Sequence, residues 1–291
     1  MKIINMIHSI NISLVYTLIA ILGACIGSFI NMAAYRIPKI LYFNWFCECY
    51  AFLELKPKFS KLPELKLNLL SPRSHCPACK KNIAFFDNFP IISYLWLKSK
   101  CRNCKQSIPI IYPLTEIVTT IASLLVVYKL GINYILIFGL LLTWVLILQA
   151  VIDIKEYIIP DELTLPMLWL GLIINNFKMF TQLEHAIIGA VAGYLIFWII
   201  FWIFKFITGK EGIGYGDFKF LAMLGAWFGY EKLLLIVLIS SAIGSIVGGL
   251  LIVFFKHSKE QPLSFGPYLA IAGWLTMLWG NLIQDWYWQW L

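Results

Sequence analysis

Apolar blocks long enough to cross a bilayer recur along almost the whole chain, and no other feature restricts its fold as much. Eight can be read, at about 12–35, 111–130, 133–152, 158–176, 184–204, 217–230, 233–255 and 266–288. A helical crossing needs about 20 apolar residues, and within hydrocarbon each backbone polar group must be satisfied by the segment itself. The expected fold is an all-α polytopic membrane protein of about eight transmembrane helices. The block at 217–230 is short and the one at 158–176 carries polar residues near its start, so both are expected inside the bundle. Composition agrees: only 13% of the residues are charged, against about a quarter in soluble domains. The first block is too long for the apolar core of a signal peptide and has no small-residue cleavage site, so it reads as a retained helix.

Between the first two blocks lies the one long polar segment, residues 36–110. The expected organisation is an N-terminal transmembrane helix (1–35), this polar domain (36–110) and a seven-helix membrane domain (111–291). Lys and Arg placement sets the orientation. With 36–110 inside, 19 basic residues face the cytoplasm and 4 face out; the short loops alone favour the same choice, 6 against 4. Both termini are then outside. The formal net charge of +8 is read as a topology signal and not as a nucleic-acid footprint.

Within the polar segment, Cys76-Pro77-Ala78-Cys79 and Cys101-Arg102-Asn103-Cys104 form two CxxC turns with 21 residues between them. Two such turns can supply the four thiolates of a tetrahedral structural zinc site, which makes the segment a small cytoplasmic zinc-ribbon-like domain inserted between helices 1 and 2. Disulfides are disfavoured in a reducing compartment. Four cysteine ligands leave no open position for water, so the metal is expected to hold the segment together and not to hydrolyse anything. His75 reads as a neighbour of the site, and Cys25, Cys47 and Cys49 as ordinary thiols. Residues 54–70 mix lysine with leucine, as either a membrane-surface stretch or a solvated connector.

Two carboxylates stand at the ends of apolar blocks: Asp153 after the third, Asp217 before the sixth. Two complete crossings separate them, so both return to the same face at similar depth. Charged residues within a membrane bundle are costly and mark function or a partner. Asp217 can also be a helix cap and Asp153 an interfacial charge near Lys155. The loop before Asp217 alternates glycines at 212, 214 and 216, which lets backbone approach a substrate closely or take unusual dihedrals. It is neither a phosphate loop nor a dinucleotide fingerprint. Asp161 follows Pro160 as a helix cap or substrate contact, and Glu116 is placed to meet a basic group inside the bundle. The four histidines support no Ser/His/Asp triad, and no HExxH occurs.

These residues resemble the bacterial type IV prepilin leader peptidases, membrane aspartyl proteases of the GxGD class. Gly27-Ser28-Phe29-Ile30-Asn31 with Tyr35-Arg36-Ile37-Pro38 is similar to the family's opening, and residues 72–104 to its tetracysteine segment, followed by Tyr112-Pro113-Leu114-Thr115-Glu116. Ile152-Asp153-Ile154-Lys155 with Ile159-Pro160-Asp161, then Gly214-Tyr215-Gly216-Asp217, resemble its two aspartate motifs. Phe265-Gly266-Pro267-Tyr268-Leu269-Ala270 resembles a late GPxxA segment. Met32-Ala33-Ala34 departs from the more usual β-branched residues after Asn31.

The resemblance implies that Asp153 and Asp217 are the catalytic pair, with Gly214, Gly216, Lys219 and Asp161 around the substrate. It implies a metal at Cys76, Cys79, Cys101 and Cys104, prepilin and pseudopilin substrates cut after the glycine that ends a basic leader, and a place in the bacterial inner membrane, with periplasmic termini. Family members with four cysteines also methylate the new amino terminus from S-adenosyl-L-methionine. Helix dipoles favour an ionised Asp217 as base and a protonated Asp153 as acid. The rival readings are a zinc-stabilised ion-relay transporter or scaffold, and a methyltransferase whose aspartates are structural.

Overall fold

A computed structural model of the chain describes residues 12–53, 67–210, 212–255 and 263–288. Among these residues the chain is helical and forms no strand. The helices are α1 (Ile12–Phe52), α2 (Ile92–Trp96), α3 (Ile111–Leu130), α4 (Tyr134–Glu156), α5 (Asp161–Asn175), α6 (Leu183–Thr208), α7 (Tyr215–Phe228), α8 (Leu233–Phe255) and α9 (Gly266–Trp288). All except α2 fall on the eight apolar blocks. Five stretches are long and apolar enough to cross a membrane: α1, α3, α4, α6 and Tyr230–Leu251, which holds most of α8. The chain divides into two compact units, one ending at Ile132 and the other beginning at Asn133.

In the first unit α1 is longer than its apolar block. It runs for 41 residues, through Pro38, to Phe52. No glycine or second proline follows Pro38 before residue 57, so nothing local stops the helix once that one lost hydrogen bond is tolerated. At 1.5 Å per residue it spans about 60 Å, roughly twice the hydrocarbon thickness. Cys47 and Cys49 lie on the added part. Most of the lysine- and leucine-rich stretch at 54–70 lies outside the described residues.

The opening motif joins α1 to α3 antiparallel. A Cβ at Gly23 would lie 2.9 Å from the Cα of Thr120, and one at Gly27 only 2.6 Å from the Cα of Glu116. One turn further, Asn31 Nδ2 donates to the carbonyl of Tyr112 at 2.9 Å. Pairs 23/120, 27/116 and 31/112 thus step along both helices by four, the spacing that keeps residues on one face. Arg36, buried, donates to the carbonyls of Asn68 (2.8 Å) and Pro72 (2.6 Å) and ties the incoming cysteine segment to α1.

In the second unit α7 is the core. Eleven of its 14 residues are buried, including Phe218, Phe220 and Trp227. Gly189 and Gly193 of α6 bring its backbone against Gly225 and Leu221, where side chains larger than hydrogen would collide. Trp227 Nε1 donates to the carbonyl of Met167 on α5 at 2.8 Å, with Gly171 beneath the indole. Asn175 closes the far end of α7. Its Nδ2 donates to the carbonyls of Ala226 and Trp227, and its Oδ1 accepts from the amides of Phe180 and Thr181. Terminal carbonyls of a buried helix otherwise stay unpaired.

The sheltered position expected for 217–230 therefore holds, but α5 differs. It turns Thr164, Met167, Gly171 and Asn175 inward and leaves Leu165, Trp169 and Ile173 exposed. Those three apolar side chains recur every four residues and form an outward stripe suited to lipid.

Candidate active site and metal cluster

Asp153 and Asp217 belong to the second unit, and a set of close contacts connects them. Asp153 lies on the last turn of α4, which ends as Tyr157 enters the left-handed region and its amide donates back to the Asp153 carbonyl. Its Oδ2 accepts a 2.9 Å hydrogen bond from the amide of Gly266, the first residue of α9. Asp217 is the third residue of α7; Gly214 is the N-cap, and its amide donates to Asp217 Oδ2 at 3.2 Å. Both side chains are more than nine-tenths buried, at 5% and 7% exposure. Asp217 Oδ1 is buried and accepts no hydrogen bond from the protein.

Ile159 packs against glycines beside both. A Cβ on Gly216, next to Asp217, would lie 2.9 Å from the Cβ of Ile159; one on Gly266 would lie 3.2 Å from Ile159 Cδ1 and 2.7 Å from Asp153 Oδ2. The charge of Asp153 is within electrostatic reach of Asp217. The topology left the two carboxylates free to meet, and Ile159 links the glycines beside them. Glycine is required here by space. The positive-φ glycines are Gly131, Gly209 and Gly229, and the unusual dihedrals expected at Gly212, Gly214 and Gly216 are not used. Asp217 is likewise one turn inside its helix and not the cap residue itself.

The dipole contrast between the aspartates is weaker than the sequence implied. Asp153 does close α4, at the negative end, but it also faces the amide that opens α9, a positive end. Each carboxylate thus accepts one helix-start amide.

Lys219 and Asp161 form an ion pair at 2.6 Å, which joins the start of α7 to the start of α5 two residues from Asp217 and Ile159 respectively. Both side chains are partly exposed, so the pair contributes at most about 1 kcal/mol. One turn before Asp153, buried Gln149 donates to Thr164 Oγ1 (2.8 Å), which donates to the Pro160 carbonyl (3.0 Å). Sequence reasoning missed Gly266, Ile159, Gln149 and Asn175 as working parts. For Gln149 a signal existed, a lone amide inside an apolar run one turn from the aspartate.

In the first unit the four cysteine Sγ atoms lie within 4.8 Å of one another, and Cys76 Sγ is 3.7 Å from Cys104 Sγ. A tetrahedral zinc with bonds of about 2.3 Å sets its sulfurs about 3.8 Å apart, so the donor set fits that ion. The two turns share one design, offset by 25 residues. Lys80 and Lys105 donate to the carbonyls of Cys76 and Cys101, both with φ of 60°, and the bridges His75–Asn82 and Lys100–Ser107 flank them. Amides of Cys79 and Cys104 lower the thiols of Cys76 and Cys101, the latter to about 6. Cys104 is helped by the Gln106 amide, yet burial and its thiol neighbours push it up to about 11.

His75 stays off the cluster, with its Nδ1 3.2 Å from the Arg73 carbonyl. Asp87 pairs in two-pronged fashion with Arg102, which lies inside the second turn; that hydrogen bond holds the Asp87 carboxyl below its ordinary range. Glu116, expected to meet a basic group, instead accepts from the amide of Ile91 at 2.7 Å and from the Ser28 hydroxyl.

A helical membrane protein with two buried carboxylates on separate helices and a separate four-thiol cluster is the class defined here. The chain belongs to the type IV leader peptidase family: residues 140–249 match that family, and residues 21–130 match the bacterial peptidase A24 N-terminal domain. It is 43% identical over 274 residues, 94% of each chain, to the prepilin leader peptidase/N-methyltransferase of Aeromonas hydrophila. Proteins of the same name from Stutzerimonas stutzeri (44% over 269 residues, 92% of each chain) and Legionella pneumophila (37% over 275 residues, 94% of each) are similar over nearly the full length. No solved structure matches the chain.

Proposed function

We propose that this protein is a prepilin peptidase whose water-activating pair is Asp153 and Asp217. The observation that carries the reading is their shared setting: two buried carboxylates, each held by one glycine amide, with Ile159 packed against both Gly216 and Gly266. Such a pair holds one proton between two acids. The ionised member takes a proton from water as its oxygen attacks the scissile carbonyl carbon. The protonated member gives its proton to the carbonyl oxygen, and collapse of the tetrahedral species passes a proton to the departing amine. Gly216 lets α7 approach Ile159, and Gly214 lies against the Asp217 carboxylate, so the pair keeps the α7 start close to its neighbours. Lys219 and Asp161 border it and are offered as substrate contacts.

The substrates are prepilins and pseudopilins, cut after the glycine that ends the leader. The relatives' names join this to methyl transfer, so the new amino terminus then receives a methyl group from S-adenosyl-L-methionine as second substrate. Zinc, held by Cys76, Cys79, Cys101 and Cys104, secures the polar segment and takes no part in either step. The location is the bacterial inner membrane, with the cysteine segment cytoplasmic and both termini periplasmic. Nothing found favours an ion relay or a scaffold.

Mass spectrometry of a prepilin incubated with detergent-purified protein, beside Asp217→Ala, tests the reading. One cut after the leader glycine is expected, absent in the variant, with one methyl added when the donor is supplied. Cleavage that survives Asp217→Ala would reject the pair.

A further inference from the structure

Exposed apolar side chains on the long helices are accounted for by lipid, but one apolar stripe lies outside them. It runs through the segment between the two cysteine turns. Ile92, Leu95 and Trp96 of α2 are 62, 71 and 79% exposed, while Ile91, Ser93, Tyr94 and Leu97 on the other side are half-buried. Positions i, i+3 and i+4 share one helix face. The amide of Ser93 donates to the Phe89 carbonyl, which carries the helical turn and the stripe back to Phe89; that ring stacks on Phe86, itself 75% exposed.

The same segment is rich in cations. Lys80, Lys81, Lys98, Lys100 and Lys105 are all exposed, and Lys98 and Lys100 follow Trp96 by two and four residues. Across residues 67–110 the only acidic side chain is Asp87, and Arg102 already engages it. An exposed apolar ridge with tryptophan and phenylalanine, in a segment whose free charges are cationic, matches the layered chemistry of an anionic bilayer surface: acyl boundary for the ridge, headgroup phosphates for the lysines. The segment is also tethered there, because it is preceded by α1 and continues through residues 97–110 into α3, both of them candidate spans. A tethered site meets its surface at high effective concentration, so modest contacts suffice.

We propose that the cysteine segment docks on the anionic membrane surface through the stripe Phe86, Phe89, Ile92, Leu95 and Trp96, with the lysines on the headgroups. This docking is independent of which residues cut the substrate. It would hold the metal cluster at a fixed depth beside the bilayer.

Photo-crosslinking of the full-length protein in nanodiscs tests the proposal. The photoreactive amino acid p-benzoylphenylalanine replaces Trp96, or Ile92 on the same face, or exposed Asn103 in the second cysteine turn as a control. In phosphatidylglycerol discs, lipid adducts are expected at 96 and 92 and not at 103. Their yield should fall about fivefold in phosphatidylcholine discs, and similarly in phosphatidylglycerol when Lys98→Glu or Lys100→Glu is added. Absence of lipid adducts at both 96 and 92 would overturn the proposal. So would adducts formed only with protein, whether a second copy or an added prepilin peptide. Equal yields in the two lipids would overturn its electrostatic part.

Discussion

The four cysteines fall between residues 76 and 104 and are gathered by two turns of one design, whereas the aspartate site draws on residues from 153 to 266. In the cysteine segment each turn makes its own hydrogen bonds and aims its own amides at sulfur. Asp217 takes its amide locally, from Gly214, but Asp153 has none until α4 and α9 are packed, and Ile159 meets Gly216 and Gly266 only when α7 and α9 are in place. A site written in short spacing carries its geometry with it. A site assembled from four helices inherits geometry from everything that packs those helices, down to single hydrogen atoms at Gly216 and Gly266.

The largest effect that could break this contrast lies at the carboxylates. Asp153→Asn and Asp217→Asn should each lower cleavage by at least about a thousandfold with unchanged detergent-extracted folding, since neither neutral amide can take a proton from water. Measurable turnover in one of them would show that the pair is not a unit. Next comes Gly266→Ala. Its methyl would lie 2.7 Å from Asp153 Oδ2, and displacement of the carboxylate should cost about a hundredfold in kcat, read in a peptide-cleavage assay. Unchanged kcat would mean that this close approach does not govern the site.

For the cysteine cluster, Cys76→Ser with Cys101→Ser should abolish metal binding and expose residues 67–110 to limited proteolysis. The second unit should keep its thermal transition, as seen by tryptophan fluorescence. Loss of both together would deny the first site its local character.

The smallest effect concerns Asp87. Arg102 depresses its folded pKa, so its contribution is present above the unfolded value of about 3.9 and is lost as pH falls through the folded one. Arg102→Ala should therefore weaken protection of the cysteine segment at neutral pH, and its difference from the parent should shrink below about pH 4. Hydrogen exchange over that range measures it. A difference that persists in acid would assign Arg102 a role other than this ion pair.

Legibility in the sequence followed the same division. CxxC spacing placed the four thiols, and counting spans singled out Asp153 and Asp217 as two carboxylates that the topology could bring together. Gly266 and Ile159 were invisible as parts of the site, because a backbone amide has no side-chain trace and an isoleucine in an apolar chain attracts no notice. Only the resemblance of Gly266-Pro267 to a family segment marked the place, without its role. The apolar run ends near residue 35 but α1 does not, because the residues after Pro38 offer the helix no reason to end. The inward setting expected of α5 failed because its few polar residues drew attention away from Leu165, Trp169 and Ile173.

The hydrogen bond from Gly266 to Asp153 has a consequence in time as well as in space. Its two residues are 113 positions apart, and a ribosome adds about 5–20 residues each second. For several seconds after α4 is made, Asp153 has no amide from α9 to hold it. Under the proposed assignment the aspartate pair is complete only once α9 arrives, so a chain still being made would lack a finished cutting site until then.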